Sequence, residues 1–226
     1  YTVPSAGGEA KQLTTNASYD GHPMWSPDGS MLAFCSNREG SLDVFIMSAT
    51  GGKAERVTTH SFNEYPAGWL GNDTLLIRRA GNPTVSELTF PGSTFTRLYK
   101  VAKSGGRQTL FSAISMDHRS MASDGRILYN NVKGYEDPWR KHHTSSIARD
   151  IYMKEGGAYK RMTTFAGEDR NPVWAPDGKG YYYLSEKDGT FNVYHSTLGG
   201  VSRQLTSFKG NPVRYLSISS NGLLSF

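Results

Sequence analysis

Apolar residues in this chain come in short runs separated by polar, glycine-rich stretches. Met31-Leu32-Ala33-Phe34, Val44-Phe45-Ile46-Met47 and Tyr181-Tyr182-Tyr183-Leu184 are typical. Short runs rich in aromatic and branched residues and bounded by turn residues predict strands. No stripe of helical period extends over a dozen residues, so the pattern predicts an all-β fold. Aromatic usage, with 13 Tyr, 10 Phe and 4 Trp, points the same way.

The runs belong to a repeat. Gly-Gly pairs stand at Gly7-Gly8, Gly51-Gly52, Gly105-Gly106, Gly156-Gly157 and Gly199-Gly200. Shortly after each comes an apolar residue, usually followed by Thr: Leu13-Thr14, Val57-Thr58, Leu110-Phe111, Met162-Thr163 and Leu205-Thr206. Between them, His22-Pro23-Met24-Trp25-Ser26-Pro27-Asp28-Gly29 matches Asn171-Pro172-Val173-Trp174-Ala175-Pro176-Asp177-Gly178. Weaker copies lie at Tyr65–Asn72, at Met121–Gly125 and from Asn211 to Gly222. One unit reads as a strand ending near Trp25, a Pro-Asp-Gly turn and the strand Met31–Phe34. A polar turn at Asn37–Gly40, the strand Asp43–Met47, the Gly51-Gly52 turn and the strand Ala54–Thr58 follow. Proline presets one turn dihedral, and Asp and Gly accept the rest of the turn geometry. Four antiparallel strands per module is the build of a β-propeller blade. The expected organisation is one propeller region over residues 1–226. Four repeats fall near 16–59, 60–112, 113–164 and 165–208, with partial blades at 1–15 and 209–226.

The pattern Pro-x-Trp-Ser-Pro-Asp-Gly, then an apolar strand, then Gly-Gly and Leu-Thr, resembles the TolB-type propeller repeat. That repeat also occurs in tricorn-type proteases and in some oligopeptidases. A narrower resemblance rests on Tyr135–Ile151 and on Gly167-Glu168-Asp169-Arg170-Asn171-Pro172. These segments are similar to the amino-terminal propeller of bacterial tricorn-like serine peptidases of the carboxy-terminal-processing type. The resemblance implies a non-catalytic propeller that guides or gates peptides for a catalytic domain elsewhere in the parent chain, in an exported or periplasmic bacterial protein. The TolB side implies an alternative, a propeller that docks a partner protein on its loop face and belongs to no enzyme. Aligned on its own repeat, the chain starts within a third strand and stops within a second. This predicts a piece of a larger protein, either closing a five-bladed ring or forming an arc of a six- or seven-bladed one.

Function on such a scaffold sits in loops that depart from the repeat. Two long connections between second and third strands stand out, roughly 78–94, which opens with Arg78 and Arg79, and roughly 133–148. The second carries Trp139, Arg140, Lys141, His142 and His143 in succession. Adjacent cations and an indole suit acidic or carboxylate-bearing ligands such as peptide termini. The same residues also read as a Trp139 packed over its blade and an Arg140 that is solvated or paired with Glu136, Asp137 or Asp150. Adjacent histidines point different ways, and no third ligand lies at a metal-binding spacing, so no metal is expected.

Other chemistry finds no support. There is no Gly-x-Ser-x-Gly elbow and no phosphate-binding Gly-x-x-x-x-Gly-Lys-Ser/Thr loop, so neither a catalytic residue nor a cofactor is expected here. Ser202 falls in a repeat turn, and Ser115, Asp117 and His118 alternate across a strand. Asp28, Asp124, Asp177 and Asp188 lack the dense carboxylate spacing of a calcium loop. Trp25, Trp69 and Trp174 recur at one blade position and are expected to pack between blades. Cys35 stands alone, which excludes an intrachain disulfide. The net charge of +5 is spread along the chain and gives no nucleic-acid footprint. No apolar stretch is long enough for a membrane-spanning helix.

Overall fold

The structure, a computed structural model, describes residues 1–4, 6–80, 96–134, 137, 139–140, 142 and 144–226. It is all-β, with no helix among the described residues. Two compact units make up the chain, Tyr1–Ile114 and Ser115–Phe226.

The first unit holds two four-stranded antiparallel sheets. One orders β1 (Asp20–Trp25), β2 (Met31–Ser36), β3 (Asp43–Ser48) and β4 (Glu55–Arg56) side by side, and the other β5 (Glu64–Leu70), β6 (Thr74–Ala80), β7 (Thr96–Ala102) and β8 (Thr109–Ser112). The second unit repeats the plan. Its sheets are β9 (Met116–Met121) to β12 (Ala158–Arg161), through β10 (Ile127–Asn131) and β11 (Ile151–Glu155), and β13 (Asp169–Trp174) to β16 (Ser202–Gln204), through β14 (Gly180–Ser185) and β15 (Asn192–Thr197). A hairpin, β17 (Ser217–Ile218) with β18 (Leu224–Ser225), follows. Near the amino terminus, Thr2 and Lys11 form an isolated antiparallel bridge.

The sequence motifs have direct mechanical roles. In the Asp-Gly turn, Ser26 Oγ donates to Asp28 Oδ1 at 2.6 Å, and the same oxygen accepts the Ser30 N–H at 3.0 Å. These bonds favour the ionised carboxylate and draw Asp28 down to about 2. Gly29 closes the turn at φ 71°, a left-handed angle that a side chain would resist. The recurring Thr after the Gly-Gly strand holds the start of the third strand. Thr58, Thr163 and Thr206 accept the backbone N–H of Val44, Ile151 and Val193 through Oγ1 at 2.9, 3.0 and 2.9 Å. The His-Pro and Asn-Pro pairs lie in β-bulges of the first strands. His22, His118 and Asn171 occupy equivalent bulge positions at φ 53°, 43° and 51°. A non-glycine residue in that region costs about 1–2 kcal/mol, and bulges characteristically re-aim side chains.

Alternation along the strands gives each sheet two apolar faces. In the first unit Ala33, Val44 and Ile46 pack with Trp69, Leu75, Ile77 and Tyr99 of the next sheet, while Leu32, Phe34, Phe45 and Met47 fill the opposite face with Leu13. In the second unit Leu128, Ile151 and Met153 meet Trp174, Tyr181, Tyr183 and Tyr194, and Leu184 and Val193 meet Val213 and Leu216. Each fully buried aliphatic side chain contributes about 1.5–3 kcal/mol. Trp69 and Trp174 are buried as expected, and each indole bonds to the first strand of the preceding sheet. Trp69 Nε1 donates to Met24 O at 3.4 Å and Trp174 Nε1 to Ser120 O at 3.0 Å. Trp25 departs from the expectation, for its side chain is 54% exposed.

Candidate functional site

The second unit carries a small cleft where bulge residues of two first strands meet two loops. It is lined by His118, Trp139, Arg170, Asn171, Arg214 and Tyr215 and has a volume of about 70 Å³. His118 and Asn171 reach it because their bulges turn them out of register. Arg170 precedes Asn171 on β13 and is 4% exposed, its guanidinium lying 3.8 Å from the Phe191 ring centre and its Nη1 3.9 Å from Glu168 Oε1. Arg214 stands on the segment before β17, and its guanidinium stacks 4.5 Å from the Trp139 ring centre. Trp139 and Tyr215 remain 68% and 73% exposed, so the aromatic wall is open to solvent.

The insertion that supplies Trp139 is fastened at its base and middle. Lys133 Nζ donates to Ala148 O and Asp150 Oδ2, both at 2.8 Å, which clamps the two ends of the connection. Asp137 Oδ1 accepts the Trp139 N–H at 2.9 Å, and Asp137 O accepts the Arg140 N–H at 3.1 Å. The His142 N–H donates to Glu186 Oε2 at 2.7 Å, tying the insertion to the loop after β14.

Positive charge in the cleft resides on arginines. Burial, together with Arg149, Arg170 and Arg119, pushes His118 below the usual histidine range despite the neighbouring Asp117. Burial alone would raise Asp117, but Arg149, Arg119 and the His118 backbone N–H, which donates to Asp117 Oδ1 at 3.0 Å, hold the carboxyl below its ordinary value. Arg149 Nη1 lies 3.0 Å from Asp117 Oδ2, so this carboxylate is already neutralised. An imidazole beside arginines, an indole face and a desolvated guanidinium can receive a planar anionic group such as a carboxylate.

Of the residues expected from sequence to bind, Trp139 reaches this cleft. Arg140 is exposed on the same insertion, and His142 is exposed with its backbone committed to Glu186. Lys141 and His143 lie outside the described residues. Arg78 and Arg79 are strand residues, not the opening of a loop, because β6 continues to Ala80 and pairs them with Tyr65 and Glu64. Arg78 lies 4.9 Å from the Tyr65 ring centre. Arg79 is buried against Glu64 at 3.6 Å and bonds Gln108, which in turn donates to Glu64 at 2.7 Å. Its charge is used inside the sheet. Sequence reasoning missed Arg170 and Arg214. A signal for Arg214 was present, since Asn211-Pro212-Val213-Arg214 copies Asn171-Pro172-Val173-Trp174 with arginine in the place of the tryptophan.

Residues 1–224 match the family described as the tricorn protease N-terminal beta propeller domain. Among curated proteins the chain is 24% identical over 206 residues to tricorn protease homolog 1 of Streptomyces coelicolor, covering 88% of this chain and 18% of that protein. Among solved structures it is similar to TolB from Acinetobacter baumannii, with a TM-score of 0.70 and 17% identity, over 97% of this chain and 51% of that one. The tricorn protease crystal structure aligns with a TM-score of 0.67 and 23% identity, over 90% of this chain and 20% of that one. The chain therefore spans about a fifth of the tricorn proteins it matches, and the structural likenesses establish the propeller fold.

Proposed function

Because this chain belongs to the tricorn protease N-terminal β-propeller family, we propose that it is the peptide-handling propeller of a tricorn-like serine peptidase, and that its second unit holds the carboxylate end of a peptide. Catalysis belongs to a separate domain of the parent chain in this reading, and the setting is an exported bacterial protein. The observation that carries it is the stacking of Arg214 on Trp139 beside Arg170 and His118. The cleft is small and opens to solvent past Trp139 and Tyr215, so it would hold the end group and leave the rest of the peptide outside. Arg140, and Lys141 beside it in sequence, add cations around the entrance.

The test compares one fluorescent hexapeptide in two forms, with a free carboxylate and with a carboxamide, in an anisotropy titration at low salt. A charge-assisted pair is worth about 1.5–3 kcal/mol, so the acid form should bind about tenfold or more tightly. Arg214→Ala and Trp139→Ala should each remove most of that preference, and Arg140→Ala with Lys141→Ala should weaken both forms. Equal affinity for acid and amide would defeat the proposal. Binding of a folded partner protein with no response to either peptide would favour the TolB-like docking alternative.

A further inference from the structure

A carboxylate opens the first strand of three of the four-stranded sheets at one place in the repeat: Asp20, Glu64 and Asp169. Two of them face an arginine of their own sheet. Arg38 Nη2 lies 2.9 Å from Asp20 and Arg79 Nε 3.6 Å from Glu64. Asp169 has no ion pair among the described residues, although it is only 2% exposed, and its Oδ1 has no hydrogen-bond partner.

Two substitutions within the repeat account for this. Asp20 is held by Arg38 and by Asn16, whose Nδ2 donates to Asp20 Oδ2 at 2.7 Å. The position of Asn16, counted from Thr14, corresponds to Phe165 counted from Thr163, and the ring has no donor. The position of Arg38, two residues past Ser36, corresponds to Lys187, two past Ser185. Both backbones make the same bond, Arg38 N to Ser36 Oγ and Lys187 N to Ser185 Oγ, each at 3.4 Å. Both cations lie on the ring of the adjacent third strand, Arg38 at 4.6 Å from Phe45 and Lys187 at 4.1 Å from Tyr194. The arginine also reaches its carboxylate from there, and the lysine does not.

This carboxylate, eased by Ser185 and Thr163 but met by no arginine, lines a cavity of about 280 Å³, whose walls include Thr163, Phe165, Tyr181, Tyr183 and Lys187. We propose that this cavity binds a small guanidinium-bearing ligand, whose planar cation takes the place against Asp169 that Arg38 takes against Asp20. One carboxylate among aromatic walls suits a delocalised, weakly hydrated cation. A hard metal ion would demand several oxygen ligands, and among the described residues no group of three metal-binding side chains converges. This inference does not depend on the peptide reading, which concerns a different cavity and an anionic ligand.

The experiment measures thermal unfolding and calorimetric binding of the chain with methylguanidinium, with methylammonium and with sodium at matched ionic strength. At about ten times its dissociation constant, methylguanidinium should raise the wild-type Tm by about 3 °C. Asp169→Asn should abolish that response. Lys187→Arg supplies the guanidinium from within, so it should melt higher without ligand and show no further rise. Methylammonium should bind at least about tenfold more weakly. No saturable binding by the wild type, an undiminished response in Asp169→Asn, unchanged binding in Lys187→Arg, or equal affinity for the two cations would each overturn the proposal. Should Asp169→Asn fail to fold, the Lys187→Arg arm decides it.

Discussion

The sheet β1–β4 and the sheet β13–β16 carry nearly the same motif and put it to different use. In both, the Pro-Asp-Gly turn closes on its own carboxylate, the bulge holds a left-handed residue before proline, and threonine braces the third strand. Those features depend on residues close in sequence. Burial does not follow the motif. Trp174 is 5% exposed and bonds Ser120 of the preceding sheet, while Trp25 is 54% exposed. The repeat therefore fixes local geometry, and the neighbouring sheet decides whether the tryptophan is core.

The two tryptophans separate those contributions most sharply. Trp174→Ala should destabilise the second unit by about 3–5 kcal/mol in urea unfolding, the usual cost of deleting a buried aromatic. Trp25→Ala should stay within about 1 kcal/mol. Equal effects would mean that the motif, not its neighbour, carries the stability. Next in size, Thr163→Val removes a buried acceptor from Ile151 N–H and should cost about 1–3 kcal/mol. Loss of under a few tenths would show that the third strand is held without it.

The paired carboxylates Asp20 and Asp169 extend the comparison to pH. Burial would raise Asp20, but Ser36, Arg38 and Asn16 bond the charged form and hold it below its ordinary value. Burial raises Asp169 to about 6, with Ser185, Thr163 and Lys187 only partly offsetting it. A carboxyl whose native value is raised favours folding below its unfolded value near 3.8, and that contribution is lost as pH rises to about 6. Asp169→Asn should therefore gain stability relative to the wild type between pH 4 and pH 7, with the gain levelling above that. Asp20, held below its unfolded value near 3.8, stabilises the fold above that value and loses this contribution as pH falls, so Asp20→Asn should be less stable than the wild type across pH 4 to 7 and the deficit should vanish at lower pH. Parallel melting-temperature profiles for the two variants would contradict the assignment. The smallest effect expected is on Arg78→Ala, a half-buried strand residue over Tyr65, within about 1 kcal/mol.

Much of the architecture was legible because it is local and repeated. Gly-Gly, Leu-Thr and Pro-Asp-Gly mark turns and braces that need no distant partner. Strand ends were less legible: Arg78 and Arg79 looked like the start of a loop, yet β6 carries them because Glu64 and Tyr65 pair opposite. The cleft was half legible. Trp139 stood out by composition, but Arg170 and Arg214 come from other repeats and meet it only after folding. The deficit at Asp169 was written in Phe165 and Lys187, and becomes visible only when the repeats are aligned position by position against a known set of bonds.

The most direct test of the account uses the four tryptophan indoles as reporters. In a ¹⁵N-labelled sample titrated with the free-carboxylate hexapeptide, the Trp139 indole resonance should move saturably while those of Trp25, Trp69 and Trp174 stay in place, and the carboxamide should need about tenfold or more higher concentration to move Trp139. A Trp139 resonance indifferent to the peptide, or one that responds alike to acid and amide, would contradict it.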